Sequence, residues 1–158
     1  MGAVLVVALA ALAACGSGGD VDDAGDGGFV VLASSTADGE SYVLQEYRRT
    51  GRACVAGGDA QLTESCIPPI AAGYLQVAAQ RLGRGRVLIY GRAPHGARGL
   101  VIRTGTMRKE IPISSSLRGF LTQVVTSDRR LHVQARPGRC RATVVLNGRG
   151  PAEAARCE

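Results

Sequence analysis

The sequence predicts an all-β fold, a small antiparallel β-sandwich of immunoglobulin-like or related type, stapled by disulfides. Three observations predict it. From Phe29 onward, short runs of β-branched and aliphatic residues are interrupted by Gly, Pro, Asp and Arg clusters about every eight to twelve residues, the rhythm of short strands joined by turns. Leu131-His132-Val133-Gln134-Ala135 alternates apolar with polar residues, which puts Leu131, Val133 and Ala135 on an inner face and His132 and Gln134 in solvent. Beyond residue 15 the chain holds Cys54, Cys66, Cys140 and Cys157, an even set suited to two staples.

The elements follow in order. Strands are expected at 29–33 and 41–47, where Val, Leu and Tyr dominate. The segment 70–82 carries two patterns, because Leu75, Ala78, Ala79 and Leu82 stand at helical spacing before Gly83, whereas Leu75, Val77 and Ala79 alternate. The strand reading, over 74–79, is preferred. Leu82-Gly83-Arg84-Gly85 then serves as a hairpin loop into a strand at 86–90. Ala93-Pro94-His95-Gly96 breaks the chain before 99–103, and Thr104-Gly105-Thr106 reverses it into 108–113. Residues 86–113 thus read as a β meander. Pro112 has no N–H to give a ladder, so its strand belongs at a sheet edge or ends there. Strands at 120–125, 131–135 and 142–147 complete the set.

Composition narrows the function classes. Aromatic residues make up 4% of the chain and Trp is absent, so stacking platforms for bases or sugars are scarce and the core must be built from small aliphatics. Charge is divided along the chain. Residues 15–46 hold seven acids and no base, whereas 75–150 hold fifteen bases and two acids, Glu110 and Asp128. Such a domain favours anionic partners such as lipid headgroups or a phosphate-bearing envelope component, with a membrane protein as the other candidate, over nucleic acid, for which no reading surface is visible. Eighteen of the nineteen bases are Arg, in a chain also rich in Ala, Gly and Val, as the codon bias of a GC-rich genome produces.

The four cysteines allow three pairings. Locality favours Cys54 with Cys66 and Cys140 with Cys157, each closing a short loop that stabilises by roughly 3 kcal/mol in the chain-entropy description. No metal site is expected, since the cysteine spacing is too wide and no His stands nearby.

The apolar run from Ala3 to Ala14 spans only about 18 Å as a helix, too short for a permanent span of a bilayer core of roughly 30 Å. It suits the apolar part of an export signal, with the small residues Ala13 and Ala14 at the cleavage end. Leu12-Ala13-Ala14-Cys15 resembles the lipobox of bacterial lipoproteins. The resemblance implies cleavage before Cys15, a diacylglyceryl group on its sulfur, and attachment to the extracytoplasmic face of the cell membrane. One departure is that Met1 to Val4 carry no positive charge. Two acyl chains hold stably where one holds reversibly, at about 0.8 kcal/mol per buried methylene. Domain organisation is then a signal peptide at 1–14, a lipidated tether at 15–28 and a single β-sandwich domain at 29–158. Within the tether, residues 16–28 read GSGGDVDDAGDGG, a flexible segment with a root-mean-square span of about 20 Å. Its aspartates lack the fifth- and twelfth-position acids of a calcium loop.

Signs of chemistry are few. His95 sits in a turn and His132 on an outer strand face, Ser114-Ser115-Ser116 is a polar loop without a Gly-x-Ser-x-Gly frame, and Gly83-x-Gly85 lacks the rest of a phosphate loop. Glu40, Glu46, Asp59, Glu64, Glu110, Asp128 and Glu153 are scattered, and Gly57-Gly58-Asp59 reads as a hairpin turn. No catalytic residue, metal or cofactor is assigned. Two arginine groups remain, Arg81, Arg84 and Arg86 at one turn and Arg136, Arg139 and Arg141 at another. If both turns share one end of the sandwich they form an anion-binding rim. The leading functional expectation is a membrane-anchored binding or structural module of the envelope. The alternatives are a hydrolase with a loop-built site, which needs a histidine beside a carboxylate, and a modulator of a membrane-bound partner.

Overall fold

A computed structural model describes residues 28–57, 65–114, 116–146 and 152–157. The described chain is all β, with twelve strands in three four-stranded antiparallel sheets. The meander sheet comes first, with β1 (Phe29–Ala37), β2 (Glu40–Tyr47), β3 (Ala53–Gly57) and β4 (Ser65–Ile67) side by side in chain order. β5 (Tyr74–Arg81), β6 (Arg86–Arg92) and β9 (Gly119–Val125) form the central sheet with the last strand, β12 (Glu153–Arg156), in the order β12-β5-β6-β9. The far sheet takes β7 (Gly99–Arg103), β8 (Arg108–Pro112), β10 (Arg130–Arg136) and β11 (Arg141–Val145), in the order β11-β10-β7-β8.

Central and far sheets make the disulfide-stapled sandwich. β5, β6 and β9 take the places of strands A, B and E of an immunoglobulin-like sandwich, and β7, β10 and β11 those of C, F and G. Their facing side chains are almost all aliphatic. Leu75, Val77, Val87, Ile89 and Val124 meet Leu100, Ile102, Leu131, Val133 and Val144 around the single ring of Phe120. The core is close-packed enough to require a glycine. A Cβ on Gly91 would stand 1.9 Å from the Gln76 carbonyl oxygen and 2.7 Å from the Phe120 ring.

The meander sheet adds a third layer to the other face of the central sheet. Alternate residues of the central strands serve both interfaces, so Leu88, Tyr90, Ala78 and Leu121 point toward Leu32, Tyr42, Leu44, Val55 and Ile67. A bulge in β1 between Val31 and Ala33 presses Leu32 onto β9, and a Cβ on Gly119 would lie 2.3 Å from that of Leu32. This interface is partly polar. Gln76, Gln80, Gln123 and Arg92 are all buried there, whereas the sandwich core has no charged member.

Several expectations meet the structure here. The segment expected at 74–79 is a strand, buried on both faces because it lies in the middle layer, which is why it also passes for a buried helix. Both local disulfides form, Cys54 with Cys66 and Cys140 with Cys157, at Cα separations of 4.0 and 4.9 Å. The first joins directly opposed residues of β3 and β4; the second ties the chain's last described residue to the start of β11. β8 lies at a sheet edge and ends at Pro112, as the missing N–H demands. Three strands of three to five residues, β3, β4 and β12, stand where none is expected. The meander expected over 86–113 is corrected. β6 belongs to the central sheet and β7 and β8 to the far sheet, because buried Ala93, Pro94 and Ala97 line a corner that carries the chain between layers. The signal peptide, Cys15, the tether up to residue 27, Gly58, Asp59, Glu64, Ser115 and Asn147 lie outside the described residues.

Candidate functional site

The register of the far sheet determines what its outer face presents. β10 alternates Leu131, Val133 and Ala135 into the core with Arg130, His132, Gln134 and Arg136 outward. Opposite His132 stand Thr143 on one side and Arg103 on the other, and Arg103 in turn opposes Arg108. The next row is Arg141, Gln134, Val101 and Glu110, and the one after holds Arg136, Gly99 and Pro112. Five arginines from four strands, Arg103, Arg108, Arg130, Arg136 and Arg141, therefore share one face and are all exposed.

One acid answers them. Glu110 pairs with Arg108, which lowers its pKa from the usual carboxylate value, and the fields of Arg136 and Arg103 act in the same direction. Among the described residues Arg103, Arg130, Arg136 and Arg141 meet no carboxylate. Val101 points outward at the middle of this face yet is 1% exposed, with Gln134 and Glu110 directly opposite it on either side. The face is thus a flat, arginine-covered plate, about 20 Å along β10 and about 15 Å across four strands.

The rim expected from two arginine turns is not formed. Arg81, Arg84 and Arg86 lie at the end of the molecule where β10 begins, and Arg136, Arg139 and Arg141 at the end where β10 finishes. Arg81 is also engaged structurally. Its guanidinium donates to the carbonyls of Leu146, Thr126 and Asp128, closing that end of the sandwich. Arg86 binds Glu40 of the meander sheet at 2.7 Å, and Arg84 occupies the hairpin turn with a φ of 62°. Only the second group shares the exposed arginine plate, which Arg136 and Arg141 enter directly.

A groove at the β10 entry end is lined by Thr104, Gly105, Asp128, Arg129, Arg130 and His132. It brings a histidine and a carboxylate into one concavity without joining them. Asp128 accepts from the Gly105 N–H at 2.9 Å and the Thr126 hydroxyl at 3.2 Å. Its pKa is held down first by Thr104, then by Thr126 and the loop N–H groups. His132 Nδ1 is 2.9 Å from the Thr143 hydroxyl, and His95 is exposed in its turn. Among the described residues no cluster of His, Cys, Asp and Glu gathers to hold a metal.

The second polar concentration is internal. Arg92, 6% exposed, donates to Glu46 at 2.6 Å, to the Gly51 carbonyl at 2.6 Å and to the Pro68 carbonyl at 3.0 Å. Arg118 donates through Nε to Ala93, and burial followed by the charge of Arg92 lowers its pKa. The Arg92 bonds stitch the meander sheet to the central sheet, and the Arg118 bond ties the start of β9 to the end of β6. Comparison of the chain with family models, with curated proteins and with solved structures finds no match.

Proposed function

We propose that this protein is a lipid-anchored module of the bacterial envelope, fastened by acylated Cys15 on the extracytoplasmic face of the cell membrane, whose sandwich binds an anionic component through the far sheet. The observation that carries the reading is the outer face of that sheet, where five exposed arginines face a single glutamate. Arginine's planar fork suits phosphate and carboxylate groups, and a rigid sheet holds the forks at fixed spacings with little ordering cost on binding. Two disulfides suit an oxidising compartment outside the cytoplasm. The lipobox resemblance at Leu12 to Cys15 supports the anchor.

Fatty-acid labelling of cells producing the wild type and Cys15→Ala tests the attachment. The wild type is expected to take up label and the variant none; equal labelling would defeat the assignment. The hydrolase reading gains no support from the groove at His132 and Asp128, because each is bonded elsewhere and no hydrogen bond links them.

A further inference from the structure

We infer that the arginine plate of the far sheet docks on the anionic phospholipid headgroups of the membrane that holds the anchor, so that the domain lies flat on that membrane with the meander sheet outward. The inference deepens the proposed function and rests on its anchored location. Charge first sets the orientation. The outward strand positions of the meander sheet, among them Val31, Val43, Gln45, Tyr47 and the Cys54–Cys66 bridge, include no charged residue, whereas the opposite surface of the molecule carries the five arginines. The bases of the meander sheet, Arg48, Arg49 and Arg52, are confined to the turn between β2 and β3, so the far sheet offers the broad cationic face that a negative surface attracts.

Shape then favours a surface over a polymer strand. The arginines are spread over a four-stranded sheet face, and the groove that Arg130 and His132 help to line lies at one end of it, where Asp128 makes it unfavourable for an anionic strand. Val145, 42% exposed, stands opposite Arg130 on the same face, an apolar contact beside a cation as an interfacial site requires. Reach is sufficient. Two layer spacings of about 10 Å separate the meander sheet from the far sheet, and the thirteen residues 16–28 extend to about 45 Å. Arginine keeps its charge throughout the physiological pH range, so the contact responds to salt and to lipid composition.

The test uses the chain from residue 15 onward with Cys15→Ala, which keeps every described contact and both disulfides but has no acyl group. Its binding is measured by co-sedimentation with vesicles of phosphatidylglycerol mixed into phosphatidylcholine and with vesicles of phosphatidylcholine alone. Two triple variants remove equal charge, Arg130→Gln/Arg136→Gln/Arg141→Gln from the plate and Arg48→Gln/Arg52→Gln/Arg84→Gln from exposed positions elsewhere. At low salt the unaltered domain is expected to bind only the anionic vesicles. The plate variant should bind on the order of a hundredfold more weakly and the control variant within about threefold, following the usual contribution of each arginine near a charged surface. Equal binding to neutral vesicles, equal losses in the two variants, or retention on inorganic polyphosphate in preference to vesicles would each overturn the inference. Because the assayed chain has no acyl group, the outcome is independent of the labelling experiment, and either can fail alone.

Discussion

The guanidinium of Arg92 and the carboxylate of Glu46 meet at 2.6 Å across the seam between the central and meander sheets, and six residues back along the same two strands Arg86 meets Glu40 at 2.7 Å. β2 and β6 are thereby clasped at both ends, over an interface whose middle is Tyr42, Leu44, Leu88 and Tyr90. The two clasps differ in burial. Arg92 is the enclosed member, with an exposure of 7% for its side chain, while Arg86 has 17%.

Removing Arg92 should therefore open the seam. Arg92→Met leaves Glu46 and the Gly51 carbonyl without this donor and the Pro68 carbonyl with Gln76 Nε2 in its place. A loss of about 3 kcal/mol is expected from urea unfolding, against about 1 kcal/mol for Glu46→Gln, which keeps the two carbonyl bonds. Hydrogen exchange should accelerate in β1 to β4 and stay slow in β7 and β10. Uniform acceleration over all three sheets would show that the seam is not a separate line of weakness.

Gly91 should tolerate no side chain. The added methyl of Gly91→Ala meets the backbone oxygen of Gln76, which is held in the β5–β6 ladder and cannot move aside. The expected cost is about 3 kcal/mol, or a fall in Tm of roughly 6 to 12 °C. Gly83→Ala is the control, with nothing within 4 Å of the new methyl, and its Tm should stay within about 2 °C.

Loss of the terminal staple should free the last strand. Cys157 is bonded to Cys140 across 17 residues, and β12 pairs only with β5 in the central sheet. Cys140→Ser/Cys157→Ser should lose about 3 kcal/mol in urea and expose the outer edge of β5 to exchange. An unchanged unfolding midpoint would mean that the β12 ladder holds without its staple.

Acid should weaken the fold in a defined window. Arg86 and Tyr42 lower the pKa of Glu40, and Thr104, Thr126 and the loop N–H groups lower that of Asp128. A carboxylate depressed in the folded state binds its proton more readily when unfolded, so its stabilisation is complete above the ordinary carboxylate pKa of about 4 and disappears as pH falls through the lower folded value. Stability should be flat near neutrality and decline below about pH 4. Glu40→Gln should flatten that decline, and circular dichroism during acid titration reads it; an unaltered profile would contradict the linkage.

Much of this molecule is written in residues close together in the chain. Alternation in β10 placed Leu131, Val133 and Ala135 inside, turn residues delimited β5 to β8, and short separations pointed to the two disulfides. Each rests on a local cause, the period of a strand, the backbone freedom of a turn, or the small entropy of closing a short loop. β3, β4 and β12 escaped because Ala53 to Gly57, Ser65 to Ile67 and Glu153 to Arg156 are held by ladders to neighbours and not by patterns of their own.

The functional face shows the same division. The arginines of each of the two turns are close in sequence, yet the turns lie at opposite ends of β10. The plate instead gathers Arg103, Arg108, Arg130, Arg136 and Arg141 from four strands, and Arg130 with Arg136 had left a trace in the alternation of β10. Sequence alone determined the all-β class, the staples, the excess of positive charge and the resemblance to a lipobox, because these depend on residue identity and short spacing. Only the tertiary structure decided which strands share a sheet, that three layers stack in place of two, and that the charge collects on one side. Those outcomes depend on pairings between distant segments, which compete through packing and register across the whole chain.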